Sequence, residues 1–196
     1  MSALKQTPSQ TVGPYFAYGL VSEQYNYDMK SLFGAVIAQP QAAGEHITLI
    51  GRVHDGEGRP IGDALIELVQ PDSTGRYVTT LEDVQADGFT GFARVGTGTD
   101  PELRFVVETV KPGSTAPDEA PHIDVIVMMR GVLVHAFTRI YFEDEAEANA
   151  RDAVLNQVPE ARRATLLARR DPQAGRLVYR FDIHMQGPQE TVFFDL

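Results

Sequence analysis

Histidine, tyrosine and carboxylate side chains carry most of the chemistry open to this sequence, because it contains no cysteine. That absence removes disulfides, zinc–thiolate sites, iron–sulfur clusters and thiol nucleophiles. In the motif HID, His122 and Asp124 are two residues apart. Residues with this spacing point to one face of a strand, so the pair could bind a cation together. The more frequent outcome for one isolated pair is a polar pair at the edge or rim of a sheet that satisfies hydrogen bonds.

Arg130 is a second candidate for chemistry. It ends the apolar run DVIVMMR and directly precedes Gly131. A guanidinium at this place could anchor a carboxylate or a phenolate through two hydrogen bonds, or it could be a solvated turn residue. The sequence contains no phosphate loop, G-x-S-x-G elbow, H-E-x-x-H helix or dinucleotide glycine fingerprint.

Composition excludes several classes of protein. The chain has 196 residues, 43% hydrophobic and 22% charged, which predicts one globular domain with or without an arm. A formal net charge of -10 lacks the basic footprint of nucleic-acid binding. No basic start precedes an apolar core, and no apolar run is long enough to cross a bilayer. Together with the absence of cysteine, these features predict a cytoplasmic protein with neither nucleic-acid nor membrane partners.

Three kinds of pattern follow one another along the chain. Residues 1–44 are irregular and hold four of the seven tyrosines, which predicts an extended N-terminal arm that packs on another surface. Residues 45–196 predict an all-β domain, an antiparallel β-sandwich, from short runs rich in Val, Ile, Phe and Thr. A short helical segment is predicted near 144–170, with acids at its start and Arg169 and Arg170 at its end. The predicted strands are 46–53, 64–69, 76–80, 89–97, 103–111, 122–130, 132–142, 177–186 and 191–196.

Six segments spread over the chain resemble the intradiol ring-cleaving dioxygenase family. They are TPSQTVGPYF (7–16), GRYVT (75–79), TVKPG (109–113), APHIDV (120–125), TRIYFEDEAEAN (138–149) and ETVFFDL (190–196). The resemblance implies a β-sandwich and a non-haem ferric ion, Fe(III), held by two tyrosinates and two histidines. It also implies a reaction that inserts both atoms of O₂ between adjacent hydroxyl-bearing ring carbons.

Two of the four ligand positions depart from the family pattern. Tyr77 matches the first tyrosine and His122 matches the first histidine, whereas Asp124 stands where the second histidine is expected. The loop at 112–121, which should supply the second tyrosine, has none. We refer to Tyr77, His122 and Asp124 as the lapsed metal site, and we expect no metal on this chain.

These departures resemble the non-metal alpha chain of a two-chain member of the family. The resemblance then implies a homologous iron-binding beta chain as partner, in a higher (alpha-beta)n oligomer with the active site at the interface. The expected reaction converts 3,4-dihydroxybenzoate to 3-carboxy-cis,cis-muconate. By matching motif, this chain would supply no catalytic residue and would shape the substrate pocket with Thr11, Gly13, Pro14, Tyr15 and Arg130.

Two other hypotheses stay open at this point. The chain could be a self-sufficient intradiol dioxygenase that acts on catechol or hydroxyquinol, although this needs a second tyrosine near residues 114–121. It could instead be a non-catalytic β-sandwich binding module. Pairing with an iron-bearing homologue distinguishes the alpha-chain hypothesis from the binding module.

Overall fold

The computed structural model describes residues 8–172 and 175–195, which form nine β-strands and four short α-helices. The strands are β1 (His46–His54), β2 (Leu65–Val69), β3 (Phe92–Gly96), β4 (Arg104–Val110), β5 (His122–Met128), β6 (Ala136–Phe142), β7 (Leu167–Asp171), β8 (Val178–Arg180) and β9 (Ile183–His184). The helices are α1 (Phe16–Leu20), α2 (Leu81–Asp87), α3 (Ala146–Asn149) and α4 (Glu160–Arg163). Three 3₁₀ turns cover Ser22–Tyr25, Leu155–Gln157 and Ala164–Leu166.

The strands follow one path in the order β3-β2-β5-β6-β7-β8-β1-β4, and β9 pairs with β1. Strand β7 joins the two halves because it pairs with β6 on one side and β8 on the other. At the two ends of the path, β3 and β4 contact each other. One apolar core takes side chains from both halves, including Leu68 and Ile123 from the first and Leu49 and Phe105 from the second. The predicted all-β, sandwich-like fold is confirmed.

Strand alternation decides which side chains face this core. In β5, Ile123, Val125 and Val127 are buried in the core, while the residues between them point to the opposite face. Most pairings are antiparallel, as predicted. The pairs β6–β7, β1–β8 and β1–β9 are parallel. Parallel neighbours need a long connection, and the helical segment between β6 and β7 provides one of them.

The predicted strand at 76–80 is wrong. Arg76 forms ion pairs with Asp72, Asp83 and Asp87, and the chain then enters α2. The Thr80 hydroxyl caps this helix by accepting a hydrogen bond from the Asp83 backbone N–H. The β-branched residues at 78–80 predict a strand, but the cap and the ion pairs favour a turn followed by a helix.

The helical segment ends earlier than predicted. Short helices and turns occupy Ala146 to Leu166, but Arg169 and Arg170 belong to β7 and do not close a helix. Leu167 and Ala168 pair with Tyr141 and Phe142 of β6, and this pairing overrides the helical charge pattern. At the C-terminus, the predicted strand at 191–196 forms one bridge, between Phe137 and Phe194, and residue 196 lies outside the described residues.

The described part of the arm packs partly on the body of its own chain. Ala17 and Val21 are buried against Leu65, and Ile37 enters the main core. Helix α1 and the 3₁₀ turn at Ser22–Tyr25 are additions to the predicted extended form. Residues 1–7, which include the first residue of the segment at 7–16, lie outside the described residues. Within the described residues, no helix is long and apolar enough to cross a membrane.

Asp152 fixes the helical segment to the outer face of β6. Its carboxylate is fully buried and accepts hydrogen bonds from Tyr141 Oη (3.1 Å), Ala120 N (2.8 Å) and Leu155 N (2.7 Å). Beside it, Leu155 and Leu166 pack with Tyr141 in a second apolar cluster. One carboxylate therefore joins the loop before β5, strand β6 and the helical segment.

Replacement of this carboxylate should weaken the fold. We expect Asp152→Ala to lower the free energy of unfolding by about 3 kcal/mol, because three buried donors lose their acceptor. Urea unfolding monitored by circular dichroism measures the change. The matched control is Glu147→Ala, which removes an exposed carboxylate of the same segment and should change stability by less than about 0.5 kcal/mol. Equal losses in the two variants would contradict this role of Asp152.

Candidate functional site

Two neighbouring rungs of the β5–β6 ladder bring four polar side chains together. His122 is opposite Tyr141, and Asp124 is opposite Arg139. Because paired residues in an antiparallel ladder point to the same face, all four side chains lie on the face away from the core. The loop before β5 and the helical segment cover the His122–Tyr141 rung, so both side chains are buried.

His122 is 3% exposed, and its Nδ1 lies 2.8 Å from the carbonyl oxygen of Ala120. A carbonyl can only accept a hydrogen bond, so Nδ1 carries the proton in this contact. The other ring nitrogen, Nε2, lies 3.9 Å from Asp124 Oδ1. Tyr141 contacts the ring, with centroids 5.7 Å apart, but its hydroxyl donates to Asp152. Burial raises the pKa of Tyr141 well above its ordinary value, so it is a neutral phenol.

Arg139 lies at the centre of this group. Its Nε donates a 2.9 Å hydrogen bond to Asp124 Oδ1, and the ion pair is partly buried. Burial alone would lower the pKa of Arg139, but Tyr141 and Asp124 outweigh it and raise the pKa above its ordinary value. The guanidinium is therefore charged at every physiological pH.

Tyr77 lies in the loop between β2 and α2, and the residue is 39% exposed. Burial raises its pKa, with Asp124 and Glu119 acting in the same direction and Arg139 opposing them. The raised pKa keeps the phenol protonated at neutral pH. The structure thus brings His122 and Arg139 to the same carboxylate, that of Asp124, and Asp124 and Arg139 both act on the pKa of Tyr77.

The residues of the lapsed metal site do not fit a ferric ion. The site offers one histidine, one protonated tyrosine and one carboxylate that already binds a guanidinium. In the described part of the chain, no three His, Asp or Glu side chains are arranged to hold a metal ion. The resemblance to the family predicts two tyrosinates and two histidines, and the fixed positive charge of Arg139 opposes any second cation.

Three residues of the predicted substrate pocket line one cavity of about 440 Å³. They are Pro14, Tyr15 and Arg130, and Asp63 lines the same cavity. Thr11 joins this group because its Oγ1 accepts a 2.9 Å hydrogen bond from the backbone N–H of Gly131. This bond ties the arm to the turn that carries Arg130.

Arg130 forms an ion pair with Asp63, whose carboxylate accepts a hydrogen bond from its Nε. The hydrogen bond to Asp63 raises the pKa of Arg130 above its ordinary value. Both side chains are accessible to solvent, so the pair orients the guanidinium but contributes little to stability. Arg130 therefore remains a charged, accessible group at the edge of the cavity.

Gln24 anchors the tyrosine-rich part of the arm beside this cavity. Its amide accepts from the backbone N–H of Gly96 (2.8 Å) and donates to the Gly96 carbonyl (2.7 Å) and to Thr99 Oγ1 (2.8 Å). Tyr18 contacts Tyr25, with ring centroids 4.6 Å apart. The sequence alone does not single out Gln24 or Asp63, because their roles depend on contacts with distant parts of the chain.

A comparison with models of protein families identifies the family of this chain. A family model described as Dioxygenase matches residues 13–187, which is most of the chain. The chain belongs to the intradiol dioxygenase family. This result confirms the family resemblance seen in the sequence. The dioxygenase domain of a carbohydrate-binding fusion protein from Streptomyces sp. SirexAA-E covers 96% of this chain and 100% of its own, with a TM-score of 0.62 and 22% identity.

Two relatives of this intradiol dioxygenase chain carry different subunit names. The protocatechuate 3,4-dioxygenase alpha chain of Burkholderia cepacia is 66% identical over 197 residues, covering 100% of both chains. The protocatechuate 3,4-dioxygenase beta chain of the same organism is 30% identical over 161 residues, covering 76% of this chain and 67% of its own. The intradiol dioxygenase chain is thus similar to both subunit types and more similar to the alpha type.

Loss of the Gln24 amide should release the arm. We expect Gln24→Ala to lower the free energy of unfolding by about 1–2 kcal/mol and to speed amide hydrogen exchange at residues 16–27, because three hydrogen bonds are lost. Hydrogen–deuterium exchange with mass spectrometry measures the local effect. Gln39→Ala, at an exposed glutamine of the same arm, is the control. Exchange at 16–27 that matches the control would refute the anchoring role.

Proposed function

We propose that this chain is the alpha subunit of a protocatechuate 3,4-dioxygenase and acts in a complex with a homologous beta chain. The observation that carries this proposal is the 66% identity over the full length of an alpha chain. The reaction would cleave protocatechuate (3,4-dihydroxybenzoate) with O₂ to 3-carboxy-cis,cis-muconate. This chain alone would be inactive.

The Fe(III) of the enzyme would belong to the beta chain. The donor set on this chain supports that assignment, because Arg139 binds Asp124 and Tyr77 is a protonated phenol. The active site would then lie at the interface, with the metal on one side and pocket walls from this chain on the other.

The pocket walls would come from the arm and from the turn after β5. Thr11, Gly13, Pro14, Tyr15 and Arg130 are the proposed substrate-pocket residues. Within the described residues, a Cβ added to Gly13 would meet no atom within 4 Å beyond its two chain neighbours, so no contact seen there requires glycine. A close approach by substrate or partner gives a physical reason for that residue.

Arg130 would contribute local positive charge to the pocket. Protocatechuate is an anion, and the net charge of -10 on this chain disfavours it at long range. The accessible guanidinium at the cavity edge is bound by Asp63 through Nε, and its Nη groups would donate hydrogen bonds to the substrate carboxylate. The chain would therefore bind and orient the substrate, and it would supply no acid, base or ligand to the bond-making step.

The arm, residues 1–44, would pack on the beta chain, with 45–196 as the sandwich domain. Several apolar side chains of the arm support this, since Tyr15 is 78% exposed and Leu32 is 86% exposed. We further propose that the alpha-beta pair assembles into a larger oligomer. A cytoplasmic location, inferred from the absence of cysteine, remains a prediction.

Arg130→Ala in the alpha-beta complex should weaken substrate binding more than turnover. We expect the KM for protocatechuate to rise about tenfold and kcat to change less than about twofold, because the lost interaction is made equally before and during the reaction. Steady-state kinetics with protocatechuate, and with uncharged catechol as a second substrate, measure the effect.

Arg176→Ala is the matched control for this experiment. It removes another exposed, ion-paired arginine, the partner of Glu108, and should leave both constants unchanged. If Arg130→Ala left the KM for protocatechuate unchanged, or raised the KM for catechol equally, the charge role of Arg130 would be excluded.

Metal content tests which of the two subunits holds the iron. We expect the chain expressed alone to be colourless and free of iron, and the complex formed by co-expression with a beta chain to be coloured and to cleave protocatechuate. Elemental analysis and a visible spectrum of both preparations provide the test. Stoichiometric iron with a tyrosinate charge-transfer band in the chain alone would instead favour a self-sufficient intradiol dioxygenase.

A further inference from the structure

The geometry of His122 and Asp124 suits a small cation. His122 Nε2 and Asp124 Oδ1 are 3.9 Å apart. Typical metal–nitrogen and metal–oxygen bonds are each about 2.1 Å long, so one ion could contact both atoms. Nδ1 is occupied by its hydrogen bond to the Ala120 carbonyl, so Nε2 is the ring nitrogen available to an ion beside Asp124, as in metal-binding histidines.

The positively charged Arg139 side chain contacts Asp124, one member of this pair. Arg139 Nε is 2.9 Å from the same Asp124 oxygen, and the register of β5 and β6 fixes the two residues opposite each other. Arg139 Nη1 is buried and has no hydrogen-bond partner among the described residues. A buried orphan donor is costly, and the interactions of the guanidinium with Asp124 and Tyr141 offset that cost.

We infer that the Arg139 guanidinium is the resident cation of the lapsed metal site. It neutralises Asp124, and its charge keeps metal ions away from His122 and Asp124. The two residues therefore form a latent cation site, which removal of the arginine charge would open. This inference concerns the chain itself and does not depend on the identity of its partner or substrate.

The size of the expected exclusion follows from electrostatics. At 4 Å and an effective dielectric constant of about 20, two unit charges repel strongly enough to change a binding constant by about a thousandfold. A divalent ion would feel twice that repulsion, and solvent that reaches Asp124 would reduce it. We therefore expect the loss of the Arg139 charge to strengthen divalent-ion binding by at least about 100-fold.

The experiment uses the full-length chain and Co²⁺ alone as the probe. Equilibrium dialysis gives the affinity and the number of bound ions, and the visible ligand-field bands of Co²⁺ report nitrogen and oxygen coordination. The wild type should bind no Co²⁺ at this site. Arg139→Ala should bind one ion, and addition of His122→Ala to that variant should abolish the binding.

Three further variants complete the test. Arg139→Lys keeps the positive charge and should still exclude Co²⁺. Arg139→Gln removes the charge but retains a donor for Asp124, so it should bind Co²⁺ and provides the test if Arg139→Ala does not fold. Arg94→Ala is the matched control, because Arg94 and Glu67 form a similar cross-strand ion pair between β2 and β3, at 2.6 Å. It should gain no Co²⁺ site.

Two results would overturn the inference. One is His122-dependent binding of Co²⁺ by the wild-type chain, which would mean that Arg139 does not exclude the ion. The other is a folded Arg139→Ala or Arg139→Gln variant that binds no more Co²⁺ than the Arg94→Ala control.

Discussion

The antiparallel register between β5 and β6 is the constraint on which the rest of the site depends. It places His122 opposite Tyr141 and Asp124 opposite Arg139, and all four side chains share the face away from the core. A shift of one residue would turn these polar groups into the core and expose Ile123 and Val125. The apolar face of β5 thus holds the polar face in position.

The same two strands connect the lapsed metal site to the rest of the domain. Tyr141 donates to Asp152, which binds the helical segment, and that segment leads into β7, the strand that joins the two halves of the sandwich. In the other direction, β5 runs into the turn that carries Arg130 and contacts the arm through Thr11. One strand pair therefore positions both the closed polar cluster and the open cavity.

Local pattern was enough to predict most of the fold, because alternation within a strand such as β5 is visible in the sequence. It was not enough for α2 or β7. The β-branched residues at 78–80 favour a strand by local pattern, but the Thr80 cap and the Arg76 ion pairs stabilise a turn and a helix there. The charge of Arg169 fits a helix C-terminus, but the residue belongs to β7, which pairs with β6. The motif around His122 predicted that His122 and Asp124 share one face, but their proximity to Arg139 depends on the register that joins two distant segments.

A guanidinium differs from a metal ion in that it never dissociates. The occupancy of a metal site follows the free metal concentration and the competition of chelators, so a fold that relies on such a site gains or loses stability by mass action. The charge beside Asp124 is covalently part of the chain and is present as soon as β5 and β6 pair. The charge that faces Asp124 therefore does not vary with the concentration of free metal ions.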